Sequence, residues 1–226
     1  LPTYPNLVKT LIPTRSNHVW VSDITYLPIV DSTTKSGYRF CFLTLIMDAY
    51  SKRILGYCVA PTLEAQYSIK ALKQALKTLP DDFSDTLIHH SDRGVQYASS
   101  KYIKQLIQAN VTPSMTESGN PKDNAIAERV NNTIKNELLH KRIFVTFNEA
   151  VRAVDKAITF YNTERPHSSL DWHTPEQAHH MCREIKKHWY SWRGNAIRRE
   201  QANELKQTES SDSTLEQTKS ALENNA

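Results

Sequence analysis

Three strand-like segments follow one another near the start of the chain, and they constrain its fold more than any other feature. The segment "VWVSDITYLPIV" (19–30) alternates between apolar and polar residues, and "YRFCFLTLIM" (38–47) is strongly apolar and aromatic. The segment "ILGYCVA" (54–60) follows the turn-like "DAYSKR" (48–53). Period-two alternation and aromatic or β-branched enrichment are typical of strands. Because the connections are short, the pattern predicts an antiparallel three-stranded meander.

The next elements alternate between helices and short strands. Apolar residues at helical spacing predict a helix with Thr62 as its N-cap and Pro80 as its stop. A short fourth strand, "DTLIHHSD" (85–92), a serine-capped helix over 99–110 and a fifth strand, "VTPSM" (111–115), come next. This order predicts an α/β fold with a mixed five-stranded sheet flanked by helices.

The C-terminal half is predicted to be helical. The pattern predicts a long helix over 124–142, a second over 146–164 capped by Thr146 or Asn148, and a third over 173–193 that starts at Thr174-Pro175-Glu176. We therefore divide the chain into a lead segment (1–18), a core (19–145), a helical extension (146–199) and a polar, acidic tail predicted to be disordered (200–226).

Composition narrows the class of protein. Apolar residues make up 39% of 226 residues, which is enough for one packed core, and no run approaches the roughly 18 apolar residues of a membrane span. The N-terminus has no signal-peptide pattern. The three cysteines form no Cys-x-x-Cys pair, which argues against a disulfide framework or structural zinc. These features predict a cytoplasmic protein without a membrane partner.

The net charge of +4 is unevenly spread. Residues 200–226 contain six acids and two lysines, so the first 199 residues carry +8. A basic body suits a polyanionic ligand such as nucleic acid. An ordinary, mildly basic enzyme would have the same balance, so charge alone leaves both readings open.

Two aspartates lie on predicted strands. Asp23 shares a strand face with Val21 and Thr25, where a carboxylate is costly unless it is paired or bound to metal. Asp92 ends the fourth strand within "HHSDRGVQY", a position that serves equally for solubility or for catalysis. If the fourth strand lies beside the first, as is common in a mixed sheet, the two carboxylates converge.

Glu128 is the candidate third acid. At about 100° per residue, Asn124, Asn131, Asn132 and Lys135 fall on its side of the long helix, whereas the apolar residues fall on the other side. A carboxylate for metal beside a lysine and amides for phosphate would suit phosphodiester chemistry. A solvated face with ordinary salt-bridging charges remains the alternative for this helix.

The acids and their flanking residues carry a family resemblance. Thirty-five residues separate Asp92 from Glu128, although Asp81 and Glu117 have the same separation in loop-like contexts. The blocks "VWVSDITYLP", "HSDRGVQY", "SMTESGNPKDNAIAERVNNTIKNEL" and "FYNTERPHSSLDWHTPEQA" occur in order. The spacing resembles that of the retroviral integrase catalytic core and related bacterial transposases. The first three blocks resemble the catalytic blocks of the insertion-sequence-three family of transposases, and the fourth resembles the closing signature of that family.

The resemblance implies a ribonuclease-H-like fold and a metal-dependent transposase. Such enzymes cut DNA at the ends of an element and join the freed 3′ hydroxyls to another strand. By position, Asp23, Asp92 and Glu128 would be the catalytic residues and would hold two Mg²⁺ ions, for which Mn²⁺ would substitute. The residues that it places near DNA are Lys135, Asn124, Arg93, His90, Arg165 and His167.

Other residues in these blocks have structural interpretations. Tyr97 is expected to pack, Gly94 to supply an unusual backbone angle, and Asp48 to form a turn. His179 and His180 are expected on a helix surface. Asn162 and Pro166 are expected to end a helix, and the basic aromatic run over 183–199 either binds DNA or a partner or packs as an amphipathic helix.

The resemblance also implies partners and leaves alternatives. DNA, as element ends and as target, would be the substrate, and a homo-multimer in the bacterial cytoplasm, associated with the nucleoid, would be the acting form. Family members carry a helix-turn-helix region before the core, whereas about 18 residues precede the first strand here, so an upstream-frame partner or fusion is expected. The alternatives are a DNA-binding remnant without independent catalysis and a nuclease of the same fold.

Overall fold

The computed structural model describes residues 2–117, 125–186 and 194–203. The chain divides into two compact units, one comprising residues 1–9 and 13–187 and the other residues 10–12 and 188–226. In the smaller unit, residues 194–203 are helical, and the Gln201 side chain donates a hydrogen bond to the Thr10 carbonyl (3.4 Å). All elements described below belong to the larger unit.

The predicted meander is present. β1 (Val19–Val30) pairs antiparallel with β2 (Tyr38–Asp48), from Trp20 opposite Asp48 to Val30 opposite Tyr38. β3 (Ile54–Ala60) pairs antiparallel with β2 on its other side.

Two short parallel strands complete the sheet. β4 (Leu87–Ser91) pairs with the start of β1, and β5 (Val111–Met115) pairs with β4. The strand order is β3-β2-β1-β4-β5. The expectations of a mixed five-stranded sheet and of a fourth strand beside the first are both confirmed.

Helices cover the sheet, and their caps only partly follow the prediction. The helices are α1 (Ala65–Leu76), α2 (Ser100–Gln108), α3 (Ala125–Asn132), α4 (Phe147–Thr163) and α5 (Pro175–His179). Ser99 caps α2 and Thr146 caps α4, as expected. The predicted cap at Thr62 is wrong, because α1 follows Glu64 and has no side-chain cap.

The helix expected over 173–193 is much shorter. Thr174 and Gln177 form a capping box with Pro175 at the first turn, which confirms the predicted start. The helix ends at His179, and residues 181–186 are not helical, so the prediction of a continuous helix is wrong there. The rest of the predicted span lies outside the described residues, as does the tail over 204–226.

The long helix changes geometry in its middle. α3 continues directly into a π-helix, Thr133–Leu138, in which the Leu139 amide donates to the Ile134 carbonyl (2.9 Å). The wider turn shifts the side chains that follow away from α-helical phase. The single polar face predicted from an α-helical wheel is therefore divided.

The core lies between the sheet and helices α1 and α2. Trp20, Leu72, Tyr97 and Tyr102 are fully or almost fully buried in it. Tyr97 packs as expected and its hydroxyl lies 2.8 Å from Ser22 Oγ. No helix among the described residues is long and apolar enough to cross a membrane.

Asp48 is a structural anchor, as expected. It is fully buried, and its carboxylate accepts hydrogen bonds from the amides of Asn17 (2.7 Å) and Ser51 (2.6 Å) and from the Ser51 hydroxyl (2.8 Å). Ser51 Oγ in turn lies 2.9 Å from His179 Nδ1. His179 is buried, so its predicted place on a helix surface is wrong, whereas His180 is exposed.

Asn162 connects α4 to the sheet. Its side-chain amide donates to the Ile54 carbonyl (2.9 Å) and accepts from the Ile54 amide (3.0 Å), so it pairs with β3 as a neighbouring strand would. α4 ends one residue later, at Thr163. Asn162 thus lies at the predicted helix end but serves to hold the helix on the sheet.

Candidate active site

Asp23 and Asp92 lie at the same level of two neighbouring parallel strands. Val21 on β1 is paired with His90 on β4, and each aspartate follows its member of that pair by two residues. Adjacent strands are about 4.8 Å apart. The parallel pairing therefore brings the two carboxylates to one edge of the sheet, where β4 ends.

Asn131 connects the long helix to this edge. Its side-chain amide donates a 2.6 Å hydrogen bond to Asp23 Oδ2, and its own Oδ1 is buried without a partner among the described residues. Glu128 precedes Asn131 by three residues, or about one helical turn. The bond therefore brings Glu128 towards the edge that carries Asp23 and Asp92.

The charges of Asp92 and Glu128 both influence the pKa of Asp23. The pKa of Asp23 is raised to about 6, and burial is the largest cause. The hydrogen bonds from Asn131 and the backbone of Ile24 act against burial, whereas the charges of Asp92 and Glu128 add to it. The acid is half-buried, whereas Asp92 and Glu128 are exposed. The three carboxylates thus interact while leaving an open side towards solvent.

The carboxylate oxygens of Asp23, Asp92 and Glu128 suit a hard divalent cation. Carboxylate oxygens are the ligands that Mg²⁺ prefers, and a cation would relieve the repulsion that raises the pKa of Asp23. Nevertheless, no group of three or more His, Cys, Asp and Glu side chains in the described ranges is arranged closely enough to hold a metal. The acids share an edge without forming a closed coordination shell.

The turn after β4 is held from two sides. The Asp92 carboxylate accepts from the Gly94 amide (2.9 Å), and Arg93 Nε donates to the Thr116 carbonyl (2.7 Å). Gly94 does not have the unusual backbone angle predicted for it; Gly37 is the described glycine with positive φ. A Cβ on Gly94 would instead approach Asp92 Oδ1 to 2.9 Å.

His90 does not lie at the surface. It is fully buried in β4, and its Nδ1 lies 2.9 Å from Ser114 Oγ on β5. The prediction that His90 contacts DNA is therefore wrong, because no part of its side chain is accessible. Its neighbour in the motif, Arg93, is exposed.

The polar face predicted for the long helix separates into two surfaces. Glu128 and Asn132 line a groove of about 340 Å³ that also includes Asn136 and Glu137, whereas Lys135 lines a different cavity. We call the first the Glu128 groove. Asn124, which was expected beside Glu128, lies outside the described residues.

Arg165 and His167 reach the Glu128 groove indirectly. Arg165 Nη2 forms an ion pair with Glu137 (2.8 Å), which lines that groove. Arg165 Nη1 lies 3.1 Å from His167 Nε2. Burial, followed by the nearby charge of Arg165, lowers the pKa of His167 to about 4, so its imidazole is neutral at pH 7.

The contact of Asn131 with Asp23 was missed from sequence. The helical wheel placed Asn131 on the face of Glu128 and assigned its amide to phosphate, not to Asp23, because a wheel shows direction and not distance. The available signal was its position one turn after the acid in "ERVNN".

Comparisons with known proteins identify the class. The family model described as Integrase core domain matches residues 13–121, and a second model with the same description matches residues 109–175. The transposase of insertion sequence element IS904 from Lactococcus lactis is 37% identical over 175 residues, covering 76% of this chain and 65% of that protein. The transposase InsF of IS3fB from Escherichia coli is 32% identical, covering 78% and 59%.

An uncharacterized 31 kDa protein of insertion element IS600 from Shigella sonnei is 36% identical over 80% of this chain and 66% of its own length. The chain thus spans less than two thirds of the length of these relatives.

Solved structures establish the fold. The HTLV-2 integrase catalytic core domain in complex with magnesium superposes with a TM-score of 0.55 at 21% identity, covering 74% of this chain and 98% of that one. A chain of the simian T-cell lymphotropic virus intasome gives 0.61 at 19% identity, covering 85% and 63%. The fold is the ribonuclease-H-like fold of integrase cores. With two matches that together extend from residue 13 to residue 175, the chain belongs to the integrase core domain family, and its curated relatives include insertion-sequence transposases.

Proposed function

We propose that this chain is the catalytic core of a DNA transposase that cuts DNA at the ends of an insertion sequence and joins the 3′ ends to a target strand. The observation that carries the proposal is geometric: the parallel pairing of β1 with β4 brings Asp23 and Asp92 to one edge of the sheet, and the Asn131 hydrogen bond to Asp23 brings the helix of Glu128 to the same edge. Burial raises the pKa of Asp23, and the charges of Asp92 and Glu128 add to this effect. Three acids that repel one another persist at a site when a bound cation offsets the cost.

Asp23, Asp92 and Glu128 are the proposed catalytic residues and the proposed ligands of two Mg²⁺ ions, which Mn²⁺ would replace. Bound ions would activate the attacking hydroxyl and stabilise the leaving oxygen. The chain itself orients the Asp23 carboxylate through Asn131 and fixes Asp92 through the Gly94 amide. Exposure of Asp92 and Glu128 leaves room for a phosphate beside them.

Four described residues are proposed to contact DNA: Arg93, Lys135, Arg165 and His167. Arg165 is already paired with Glu137, so binding would exchange that carboxylate for a phosphate. Neutral His167 would act as a hydrogen-bonding group and not as a cation. The predicted contact of Asn124 remains part of the proposal.

The proposed substrates are element-end DNA and target DNA, and the proposed acting form is a homo-multimer, since transposition joins two ends. Action on DNA would place the protein in the bacterial cytoplasm, with the nucleoid. An upstream helix-turn-helix partner stays a prediction. So does the division into a core over 19–145 and a helical extension over 146–199.

A strand-transfer assay tests the proposal. Labelled, pre-cleaved element ends taken from the DNA that flanks the gene are mixed with a plasmid target in Mg²⁺ or Mn²⁺. We expect joining by the wild type and none above background by Glu128→Gln, which keeps the side chain's shape and removes its charge. Glu164→Gln, an exposed glutamate at the end of α4, is the matched control and should join DNA as the wild type does.

The other outcomes separate the alternatives. Hydrolysis of the ends without joining would indicate a nuclease. DNA binding with neither reaction would indicate a remnant that lacks independent catalysis. Equal joining by wild type and Glu128→Gln would remove Glu128 from the catalytic site.

A further inference from the structure

An exposed row of aromatic rings covers one face of the β1–β2 hairpin. Tyr26 lies directly opposite Phe42, Pro28 opposite Phe40, and Val30 opposite Tyr38. Because side chains alternate along a strand, all six lie on one face. The rings meet edge to face, with centroids 5.5 Å apart for Tyr38 and Phe40 and 5.7 Å apart for Phe40 and Tyr26. We call this surface the hairpin face.

The hairpin face is unusually open for aromatic residues. Tyr26 is 47% exposed and Phe40 is 44% exposed. Large apolar side chains that cluster at the surface mark sites of interaction more often than isolated ones do. A partner that covers this face would have to offer flat, apolar surface to the rings.

A basic cavity adjoins the rings. Tyr38 and Phe40 form part of a cavity of about 440 Å³ whose other walls include Lys135, Lys141 and Arg142. None of its lining side chains, all from the described part of the chain, is acidic. Arg142 lies over the Phe144 ring and pairs with Glu149, whereas Lys135 and Lys141 form no ion pair with any described residue. The charge therefore favours an anionic partner.

The cavity borders the Glu128 groove. Asn136 lines both. Lys135 follows Glu128 by seven residues along one helical segment, which is roughly 10 Å, or about three nucleotides of duplex at 3.4 Å each. A DNA strand with its reacting phosphate at Glu128 would therefore reach Lys135, and with it the cavity that Tyr38 and Phe40 line, within a few nucleotides.

From these observations we propose that the hairpin face and its basic cavity bind an unpaired nucleotide of the DNA strand next to the reacting phosphate. The base stacks on Phe40 and its aromatic neighbours, and Lys135 and Lys141 hold the flanking phosphates. Aromatic rings beside lysines recognise single-stranded nucleic acid in this way because every base has an apolar face. The proposal rests on the proposed transposase function and specifies the form of DNA that the site prefers.

Binding of forked DNA tests the proposal. Fluorescence anisotropy compares a blunt duplex with the same duplex carrying a few unpaired nucleotides at one end, and 2-aminopurine in the unpaired segment reports stacking. We expect the wild type to prefer the forked DNA and to quench the 2-aminopurine. Phe40→Ala should weaken forked binding by about tenfold and leave blunt binding within twofold. Phe40→Leu, which keeps the apolar volume but lacks a ring, should do the same.

Phe160→Ala is the matched control, because Phe160 is exposed to a similar degree (42%) but lies on α4; it should change neither affinity. If the wild type binds no DNA, the proposed function fails together with this inference. If it binds blunt and forked DNA equally, or if Phe40→Ala loses nothing, the inference alone is overturned. A change in sedimentation of Phe40→Ala without a change in DNA affinity would assign the hairpin face to contacts between copies, which also overturns it.

Discussion

The surroundings of Asp23 disfavour the charged form of its carboxylate. Burial and the charges of Asp92 and Glu128 raise its pKa, and the short bond from Asn131 recovers only part of that cost. In the unfolded chain an aspartate has a pKa near 3.9. The folded state therefore binds a proton more tightly than the unfolded state, so the stabilising contribution present below about pH 4 is lost as pH rises through about 6.

Asp23→Asn should accordingly stabilise the metal-free protein at pH 7.5 while abolishing strand transfer. The expected gain is about 2 kcal/mol in the free energy of unfolding, and it should disappear below pH 4, where the wild-type carboxyl is protonated too. Thermal unfolding in chelator measures the gain. Added Mg²⁺ should raise the Tm of the wild type and not that of Asp23→Asn.

Asp82→Asn, at an exposed loop carboxylate, is the control and should change the Tm little. A metal-free Asp23→Asn protein that is less stable than the wild type at pH 7.5 would show that the folded protein already stabilises the charged Asp23 carboxylate. Its place as a metal ligand would then lose its physical basis.

At the scale of elements, α1 packs directly on β3 because Gly56 has no side chain. A Cβ at Gly56 would lie 2.1 Å from the Ala71 carbonyl oxygen and 2.8 Å from the Ala75 amide nitrogen. Ala71 and Ala75 are themselves fully buried. Small residues on both elements thus set the distance between helix and sheet, and backbone atoms cannot move aside as a flexible side chain could.

Gly56→Ala should destabilise the protein by about 3 kcal/mol, because the helix must shift to admit one methyl group. Urea unfolding followed by circular dichroism measures the change. Gly37→Ala is the comparison: its Cβ would meet nothing within 4 Å, and only its positive φ of 75° should cost about 1 kcal/mol. Equal stability of Gly56→Ala and wild type would mean that α1 can move away from β3 without loss.

At the scale of the whole molecule, three histidines make the fold sensitive to acid: His89 and His179 are buried and His167 is half-buried. Burial lowers the pKa of His89 to about 3 and those of His167 and His179 to about 4. Between pH 6.5 and 4 the unfolded chain therefore binds more protons than the folded one, so stability decreases as pH falls. The contribution of Asp23 to stability instead increases as pH falls over much of this range, but it comes from a single group.

We expect the free energy of unfolding to fall by about 3 kcal/mol between pH 7.5 and pH 5, as measured by urea unfolding at each pH. His89→Gln should reduce this pH dependence, because glutamine can keep a bond to the Tyr102 hydroxyl, now 3.0 Å from His89 Nε2, without titrating. The exposed His180→Gln should leave the dependence nearly unchanged. Identical pH profiles for wild type and His89→Gln would contradict the assignment to His89.

The strands and most helix starts were predictable because their signals are local. The alternation of apolar and polar residues predicted β1, and an apolar run predicted β2. The capping residues Thr146 and Thr174 predicted the starts of α4 and α5. The end of α5 at His179 and the π-helix after Asn132 were not predictable, since "CREIKK" and "TIKNEL" have helical composition. Packing against the rest of the fold decided these elements, and intrinsic propensity is too weak to override it.

The sequence by itself determined the order of strands and helices, the mixed sheet and the three acids that resemble a transposase site, because these depend on residue type and spacing along the chain. Tertiary structure alone decided that Asn131 reaches Asp23, that His90 and His179 are buried, and that Lys135 faces the hairpin cavity and not the Glu128 groove. Each of these depends on the distance between segments far apart in sequence, and that distance is set by how helices and strands pack, which no local pattern encodes.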